Sequence, residues 1–122
     1  MGSKRILVVD DEQPIRHVAE QAITGHGWEA DTAANSAEAL QMIRDNLYDA
    51  IVVDFSLPDM DGVALHSEIR RLDTELAQHT LFISGLDQSN ERLRYYTDAG
   101  GFLPKPFDID ELIGRLRDML ND

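Results

Sequence analysis

The chain has no cysteine among its 122 residues. Disulfide bonds, thiolate metal sites and cysteine nucleophiles are therefore excluded. The chain also lacks any apolar run near the roughly 18 residues that predict a transmembrane helix, and its first residues show no secretory signal pattern. Together these absences predict a cytoplasmic protein with no membrane partner.

Basic residues are scarce as well. Lysine and arginine total 11 against 23 aspartates and glutamates, which gives a formal net charge of −12 at pH 7. Direct nucleic-acid binding normally requires a basic face, so the composition argues against it. No glycine-rich loop follows any predicted strand, which disfavours a flavin or nucleotide carrier. The length predicts a single domain over residues 4–122, and residues 1–3 are interpreted as a cloning remnant without function.

What the chain does contain is a strict alternation of short apolar runs and helix-like segments. Such alternation predicts an α/β fold with a parallel sheet and helices on both faces. Right-handed crossovers restrict the topology to a few doubly wound arrangements. The five predicted strands cover about Arg5–Asp10, Trp28–Ala33, Ala50–Asp54, Thr80–Ser84 and Gly101–Leu103.

The predicted helices begin at recognisable signals. Ser36 and Asp108 fit N-cap positions, and Asp61-Gly62 opens the third helix. Glu111 completes a capping box with Asp108. A fourth helix with a thin apolar stripe is predicted over residues 89–98. The apolar residues predicted to face the core are Ile15, Val18, Ala19, Ala22, Ile23, Leu40, Ile43, Leu47, Leu65, Ile69, Leu72, Ile109, Leu112, Ile113, Leu116 and Leu120.

Acidic side chains stand at the ends of two predicted strands. Asp10 and Asp11 end the first strand, and Asp54 ends the third. Because ligands of open α/β sheets collect outside the carboxyl ends of the strands, these acids are expected to share one crevice. Two carboxylates about 4 Å apart repel by roughly 4 kcal/mol at an effective dielectric near 20. The cluster therefore requires protonation or a hard divalent cation, and Mg²⁺ (or Mn²⁺) is predicted.

Two further strand ends carry a hydroxyl and an ammonium group. Ser84 ends the fourth strand and Lys105 follows the fifth, so a parallel sheet places both at the same edge as the acids. A carboxylate nucleophile, metal-binding acids, a hydroxyl donor and a fixed ammonium together describe a phosphoryl-transfer site. In this interpretation Asp54 attacks phosphorus, while Ser84 and Lys105 contact the phosphoryl oxygens.

Each of these residues, taken alone, also fits an ordinary structural role. Asp10 and Asp11 are equally compatible with a strand end that caps the first helix. Asp54 and Ser84 fit turn positions, and Lys105 fits a surface lysine beside a loop proline. Their joint placement at four strand ends is what favours a shared site.

Four segments around these residues form a recognisable set. They are residues 6–12 (ILVVDDE), Asp54 followed by residues 57–62 (LPDMDG), the pair Ser84-Gly85, and residues 102–107 (FLPKPF). In this order and spacing they resemble the receiver domains of bacterial two-component response regulators, over essentially the whole chain. The resemblance implies a flavodoxin-like fold with strand order 2-1-3-4-5.

The resemblance also implies roles for the site residues. Asp54 would accept a phosphoryl group from a histidine kinase or a histidine phosphotransfer protein. Asp11 would be the principal acidic magnesium ligand beside Asp10. Asp54 itself and the backbone carbonyl of Ser56 would complete the protein ligands.

A conformational switch and a shaped loop are further implications of the resemblance. Ser84 and Phe102 would move together on phosphorylation, although Phe102 replaces the commoner tyrosine and lacks its hydroxyl. The Lys105–Pro106 peptide bond is expected to be cis. Pro58 and Gly62 are expected to shape the loop behind the phosphoacceptor.

The predicted output is binding rather than catalysis of an external reaction. Phosphorylation would alter the surface formed by the fourth helix, the fifth strand and the last helix, to control a downstream partner or output domain, with a phosphorylation-dependent homodimer as a further expectation. One alternative is a pseudo-receiver that interacts without being phosphorylated. Another is a phosphatase of the haloacid dehalogenase type, which would need a second aspartate where Ser56 stands and a larger body to hold a substrate.

Overall fold

The computed structural model describes residues 3–85 and 101–121. Five parallel strands form one sheet in the order β2-β1-β3-β4-β5. This order confirms the predicted flavodoxin-like topology. The strand bounds differ from the predicted ones by one residue at three strands. The strands are β1 (Arg5–Val9), β2 (Glu29–Ala33), β3 (Ala50–Asp54), β4 (Thr80–Ser84) and β5 (Phe102–Pro104).

Five helices are present in the described parts of the chain. They are α1 (Gln13–Gly25), α2 (Ser36–Asp45), α3 (Gly62–Leu72), α4 (Thr74–Gln78) and α5 (Ile109–Leu120). The short helix α4 was not predicted, because five residues are too few to show helical periodicity. The helix predicted over residues 89–98 lies outside the described residues. Within residues 3–85 and 101–121, no helix is long and apolar enough to cross a bilayer.

The core consists of two layers, one on each face of the sheet. Alternate residues of each strand point to opposite faces, so Leu7 and Val9 join one layer while Ile6 and Val8 join the other. Helices α2, α3 and α4 cover the first layer, and helices α1 and α5 cover the second. The sheet is therefore doubly wound, with its strand ends free to carry functional groups along one edge.

Three apolar residues predicted to face the core are exposed instead. Leu47 is 85% exposed because it follows the end of α2 at Asp45, where helical spacing no longer applies. Val18 is exposed at the edge of the apolar stripe of α1, and Ile109 is exposed as the first residue of α5. In each case the predicted helical spacing was correct, but the residue lies beyond the end of the helix or outside its buried face.

The helix caps agree with the predictions in part. Asp108 caps α5, as predicted, and accepts from the amide of Asp110. Asp61, which was predicted to open the third helix, is the cap of α3. The cap of α2 is Asn35 rather than Ser36, because Asn35 has the extended backbone of a cap and its Oδ1 accepts from the amide of Glu38 at 2.8 Å. Ser36 is thus the first helical residue of α2.

A buried histidine joins α3 to α4. The Nε2 atom of His66 lies 2.8 Å from the carbonyl oxygen of Ala77, and its Nδ1 lies 3.3 Å from Nη2 of Arg70. These contacts fit a neutral imidazole that donates from Nε2 and accepts at Nδ1. Burial lowers the pKa of His66; the Ala77 carbonyl opposes this shift and the charge of Arg70 adds to it. His66 therefore serves packing between α3 and α4.

Acidification is expected to weaken the fold through His66. Because its pKa is lower in the folded state than the unfolded value of about 6.5, the unfolded chain takes up the proton first. The free energy of unfolding should therefore fall as the pH drops from about 6.5 toward the folded-state pKa. Urea denaturation between about pH 5 and about pH 8 would show this slope in the wild type and a shallower one in His66→Gln. The other histidines are common to both proteins, so identical slopes would contradict the expectation.

Candidate functional site

Two buried carboxylates stand at neighbouring strand ends. Asp10 follows β1 and is fully buried, and Asp54 ends β3 and is 5% exposed. The strands β1 and β3 are paired in parallel with Val9 opposite Val53, so both acids leave the sheet at the same edge. The amide of Asp10 donates to the carbonyl of Ala33 at 3.1 Å, which ties this acid to the end of β2. The predicted convergence of these two acids is present.

Lys105 places one ammonium group among three carboxylates. Its Nζ lies 2.9 Å from Asp10 Oδ2, 3.0 Å from Asp54 Oδ2 and 3.0 Å from Glu12 Oε2. Lys105 directly follows β5, and its backbone amide donates to the carbonyl of Ser84, at the end of β4, at 2.7 Å. The Lys105–Pro106 peptide bond is cis, as predicted. A side chain from the edge of the sheet therefore reaches acids at its centre.

The electrostatics of the cluster follow from burial and mutual charge. Burial raises the pKa of Asp10, the amide of Glu12 and the ammonium of Lys105 lower it, and the charge of Asp54 raises it further. Burial alone would lower the pKa of Lys105, but its bonds to Asp10, Asp54 and Glu12 raise it above its ordinary value. One ammonium group thus faces three carboxyl groups, an excess of acidic groups that suits a further cation.

The loop after Asp54 is fixed by its own backbone bonds. The amide of Ser56 donates to Asp54 Oδ1 at 3.0 Å, and Ser56 pairs with Asp61 in an isolated antiparallel bridge. The amide of Gly62 donates to the carbonyl of Phe55 at 2.9 Å, which closes the loop onto the start of α3. The phosphoacceptor candidate is therefore oriented by the same loop that carries Ser56.

Gly62 is required by close packing. A Cβ atom at this position would lie 2.6 Å from Cδ2 of Phe55, a distance that real side chains do not adopt. Gly62 was predicted to shape the loop behind the phosphoacceptor, and its backbone φ angle is not positive. The glycine instead lets the Phe55 ring lie directly against the first turn of α3.

The carboxylates present suit a hard divalent cation. One oxygen from each of Asp10, Glu12 and Asp54 lies within 4.8 Å of the others, and carboxylate oxygens are preferred ligands of Mg²⁺. Glu12 was not predicted for this group. Its signal in the sequence was its place directly after Asp10-Asp11, at the N-cap of α1. Asp11, predicted as the principal ligand, is exposed and lines the rim of the same depression.

The remaining predicted residues are buried to different extents. Ser84 is buried at the end of β4, and Phe102 is half-buried in β5, where it packs against the core layer under α2 and α3. Pro58 is exposed in the loop after β3. The depression above the cluster is lined by Asp11, Glu12, Asp54, Ser56, Gly85 and Lys105.

Comparison with known proteins identifies this arrangement. The family model described as the response regulator receiver domain matches residues 6–117. The response regulator MprA of Mycobacterium sp. (strain KMS) is 35% identical over 118 residues, which cover 95% of this chain and 50% of MprA. The MprA of Mycobacterium tuberculosis (strain ATCC 25177 / H37Ra) is likewise 35% identical over 120 residues, covering 97% of this chain and 51% of the relative. The chain thus spans about half the length of these curated relatives.

Solved structures give the same result. The receiver domain of the Francisella response regulator 1452 superposes with a TM-score of 0.85 at 31% identity, covering 98% of both chains. The response regulator TrrA of Thermotoga maritima, solved in complex with Mg²⁺-BeF, superposes with a TM-score of 0.84 at 31% identity, covering 96% of this chain and 99% of TrrA. With one family model matching nearly the whole length, the chain belongs to the response regulator receiver domains.

Proposed function

We propose that the chain is a phosphorylation-controlled switch whose Asp54 accepts a phosphoryl group from a phosphohistidine of a histidine kinase or histidine phosphotransfer protein. The observation that carries the proposal is the environment of Asp54. This carboxylate ends a central strand, lies 3.0 Å from the Lys105 ammonium and opens onto the depression above the acidic cluster. Membership of a signalling family supports the same function.

The chemistry assigned to the chain's own residues is a transfer between two nucleophiles. A carboxylate oxygen of Asp54 forms a bond to phosphorus as the bond from phosphorus to the donor's imidazole nitrogen breaks, and the imidazole takes up a proton from solvent. The Lys105 ammonium offsets negative charge on the phosphoryl oxygens. The Ser84 hydroxyl is proposed to donate a hydrogen bond to one of these oxygens. Catalysis of this kind rests on positioning and charge neutralisation.

Magnesium (or manganese) is the proposed cofactor. Asp10, Asp11, Asp54 and the backbone carbonyl of Ser56 are the proposed ligands, and the structure adds the carboxylate of Glu12 to the nearby oxygens. When bound, the ion would supply positive charge that offsets the negative charge of the phosphoryl oxygens. The TrrA complex with Mg²⁺-BeF supports this choice of metal.

The output of the switch is proposed to be a change in binding. Ser84 and Phe102 lie on the adjacent strands β4 and β5, where Phe82 pairs with Phe102 and Ser84 with Pro104. A shift of the Ser84 hydroxyl toward the phosphoryl group would be coupled to the Phe102 ring through packing alone. The surface of the predicted fourth helix, β5 and α5 would then control a downstream partner, an output domain or a homodimer. A cytoplasmic location belongs to the same proposal.

Intact-mass spectrometry after incubation with acetyl phosphate tests the proposal. We expect one added phosphoryl group on the wild type with Mg²⁺, and none without Mg²⁺ or on Asp54→Asn. Circular dichroism of Asp54→Asn would establish that the variant is folded. A folded wild type that gains no phosphoryl group with Mg²⁺ present would favour the pseudo-receiver. Steady release of phosphate from small phosphomonoesters would instead favour a phosphatase.

A further inference from the structure

Asp59, in the loop after β3, reaches across to the start of α2. Its Oδ1 accepts from the amide of Ser36 at 3.0 Å, and its Oδ2 accepts from the amide of Ala37 at 3.1 Å. These partners are 23 and 22 residues away in sequence. The contact therefore joins two separate loops at the carboxyl edge of the sheet.

The start of α2 does not depend on Asp59 for its ordinary cap. Asn35 already caps the helix by accepting from the amide of Glu38. The two amides that Asp59 takes are the first two of the helix, which have no partner within the helix itself. A carboxylate is also favoured there by the positive end of the helix dipole. In the first turn of α2, Asn35 thus accepts from one amide and the distant Asp59 accepts from two others.

Both ends of this contact lead directly to the phosphoacceptor cluster. On one side, Ala33 at the end of β2 accepts from the amide of Asp10, and α2 begins three residues later. On the other side, Asp59 sits in the loop whose Ser56 amide holds Asp54 Oδ1. The bridge between Ser56 and Asp61 encloses Asp59, so its position is linked to that of Ser56.

We propose that Asp59 is a positioning residue that ties the loop carrying Asp54 and Ser56 to the first turn of α2, and so keeps the Ser56 backbone in register with the acidic cluster. This inference rests on the proposed function of Asp54. The side chain of Asp59 itself touches no reacting atom. Its effect on phosphorylation acts through the loop.

The chain offers a matched control for this inference. Asp59→Ala and Asn35→Ala each remove a side chain that caps the first turn of α2, but only Asp59 also holds the loop after β3. Asp59→Asn keeps one oxygen acceptor out of two and is expected to behave in an intermediate way. Asp59 is exposed and Asn35 is half-buried at a helix end, so the variants are expected to fold.

The measurements are hydrogen–deuterium exchange of residues 55–61 and the rate of phosphorylation by acetyl phosphate at saturating Mg²⁺. Asp59→Ala is expected to speed exchange in residues 55–61 and to slow phosphorylation on the order of tenfold, because misplacement of a reacting group is costly in rate. Asn35→Ala is expected to leave both readouts within about twofold of wild type, since its loss frays only the helix end.

Equal effects of Asp59→Ala and Asn35→Ala on exchange in residues 55–61 would overturn the inference and reduce Asp59 to a second helix cap. Unchanged phosphorylation in Asp59→Ala, with wild type phosphorylated normally, would overturn it as well. A wild type that takes up no phosphoryl group would contradict the proposed function instead. In that case the exchange comparison alone still decides whether Asp59 holds the loop.

Discussion

Replacing Lys105 with methionine is expected to destabilise the protein by about 3 kcal/mol without Mg²⁺. The ammonium group contacts Asp10, Asp54 and Glu12 at 2.9 to 3.0 Å, and the first two of these acids are buried. Removing this cation leaves their charges uncompensated, and the penalty for burying an unpaired charge is large. Urea denaturation followed by far-ultraviolet circular dichroism measures this loss.

Added Mg²⁺ is expected to restore more stability to Lys105→Met than to wild type, because the ion would supply the missing positive charge. The same variant should be phosphorylated far more slowly even with Mg²⁺, since a cation beside the phosphoryl oxygens is lost.

Arg71→Met is a matched control for Lys105→Met. Arg71 pairs with Glu68 in an exposed ion pair, and such pairs contribute at most about 1 kcal/mol. Equal losses of stability in the two variants would contradict the expectation that Lys105 compensates buried negative charge.

Replacing Gly62 with alanine is expected to destabilise the protein by about 2 kcal/mol, as overpacking of a buried contact does. The new Cβ would lie 2.6 Å from the Phe55 ring, and Phe55 is buried between the loop and the core, with its ring against Phe82. The ring must move, and the backbone directly after Asp54 would move with it. Slower phosphorylation is therefore expected together with the loss of stability.

Gly114→Ala is the control for this substitution. Gly114 lies inside α5, and a Cβ atom added there would meet nothing within 4 Å among the described residues beyond the backbone of its own helix. Alanine at this position should therefore stabilise the helix by about 0.5 to 1 kcal/mol. A double-mutant cycle of Gly62→Ala with Phe55→Leu would localise the clash. If Phe55→Leu does not relieve part of the cost of Gly62→Ala, the contact with the ring is not its cause.

The order of residues along the chain is enough to predict the sheet and the groups at its edge. Continuous apolar runs such as Ile6–Val9 and Ala50–Val53 indicate buried parallel strands, because both faces of such strands are covered. Once the strands are parallel, their carboxyl ends share one edge, and the convergence of Asp10, Asp54 and Lys105 follows. The strand order came from the resemblance of the motifs to a known family, since alternation alone leaves several doubly wound orders open.

The contacts between side chains of different loops depend on the tertiary structure, and the sequence pattern does not predict them. Glu12 rather than Asp11 lies beside Asp10 and Asp54, because the chain turns into α1 at that point and no period governs the direction of its side chains. Asp59 meets α2 across more than twenty residues of sequence, and Gly62 is fixed by the ring of Phe55. Local patterns report periodicity within an element, whereas these contacts depend on how the loops between elements fold against one another.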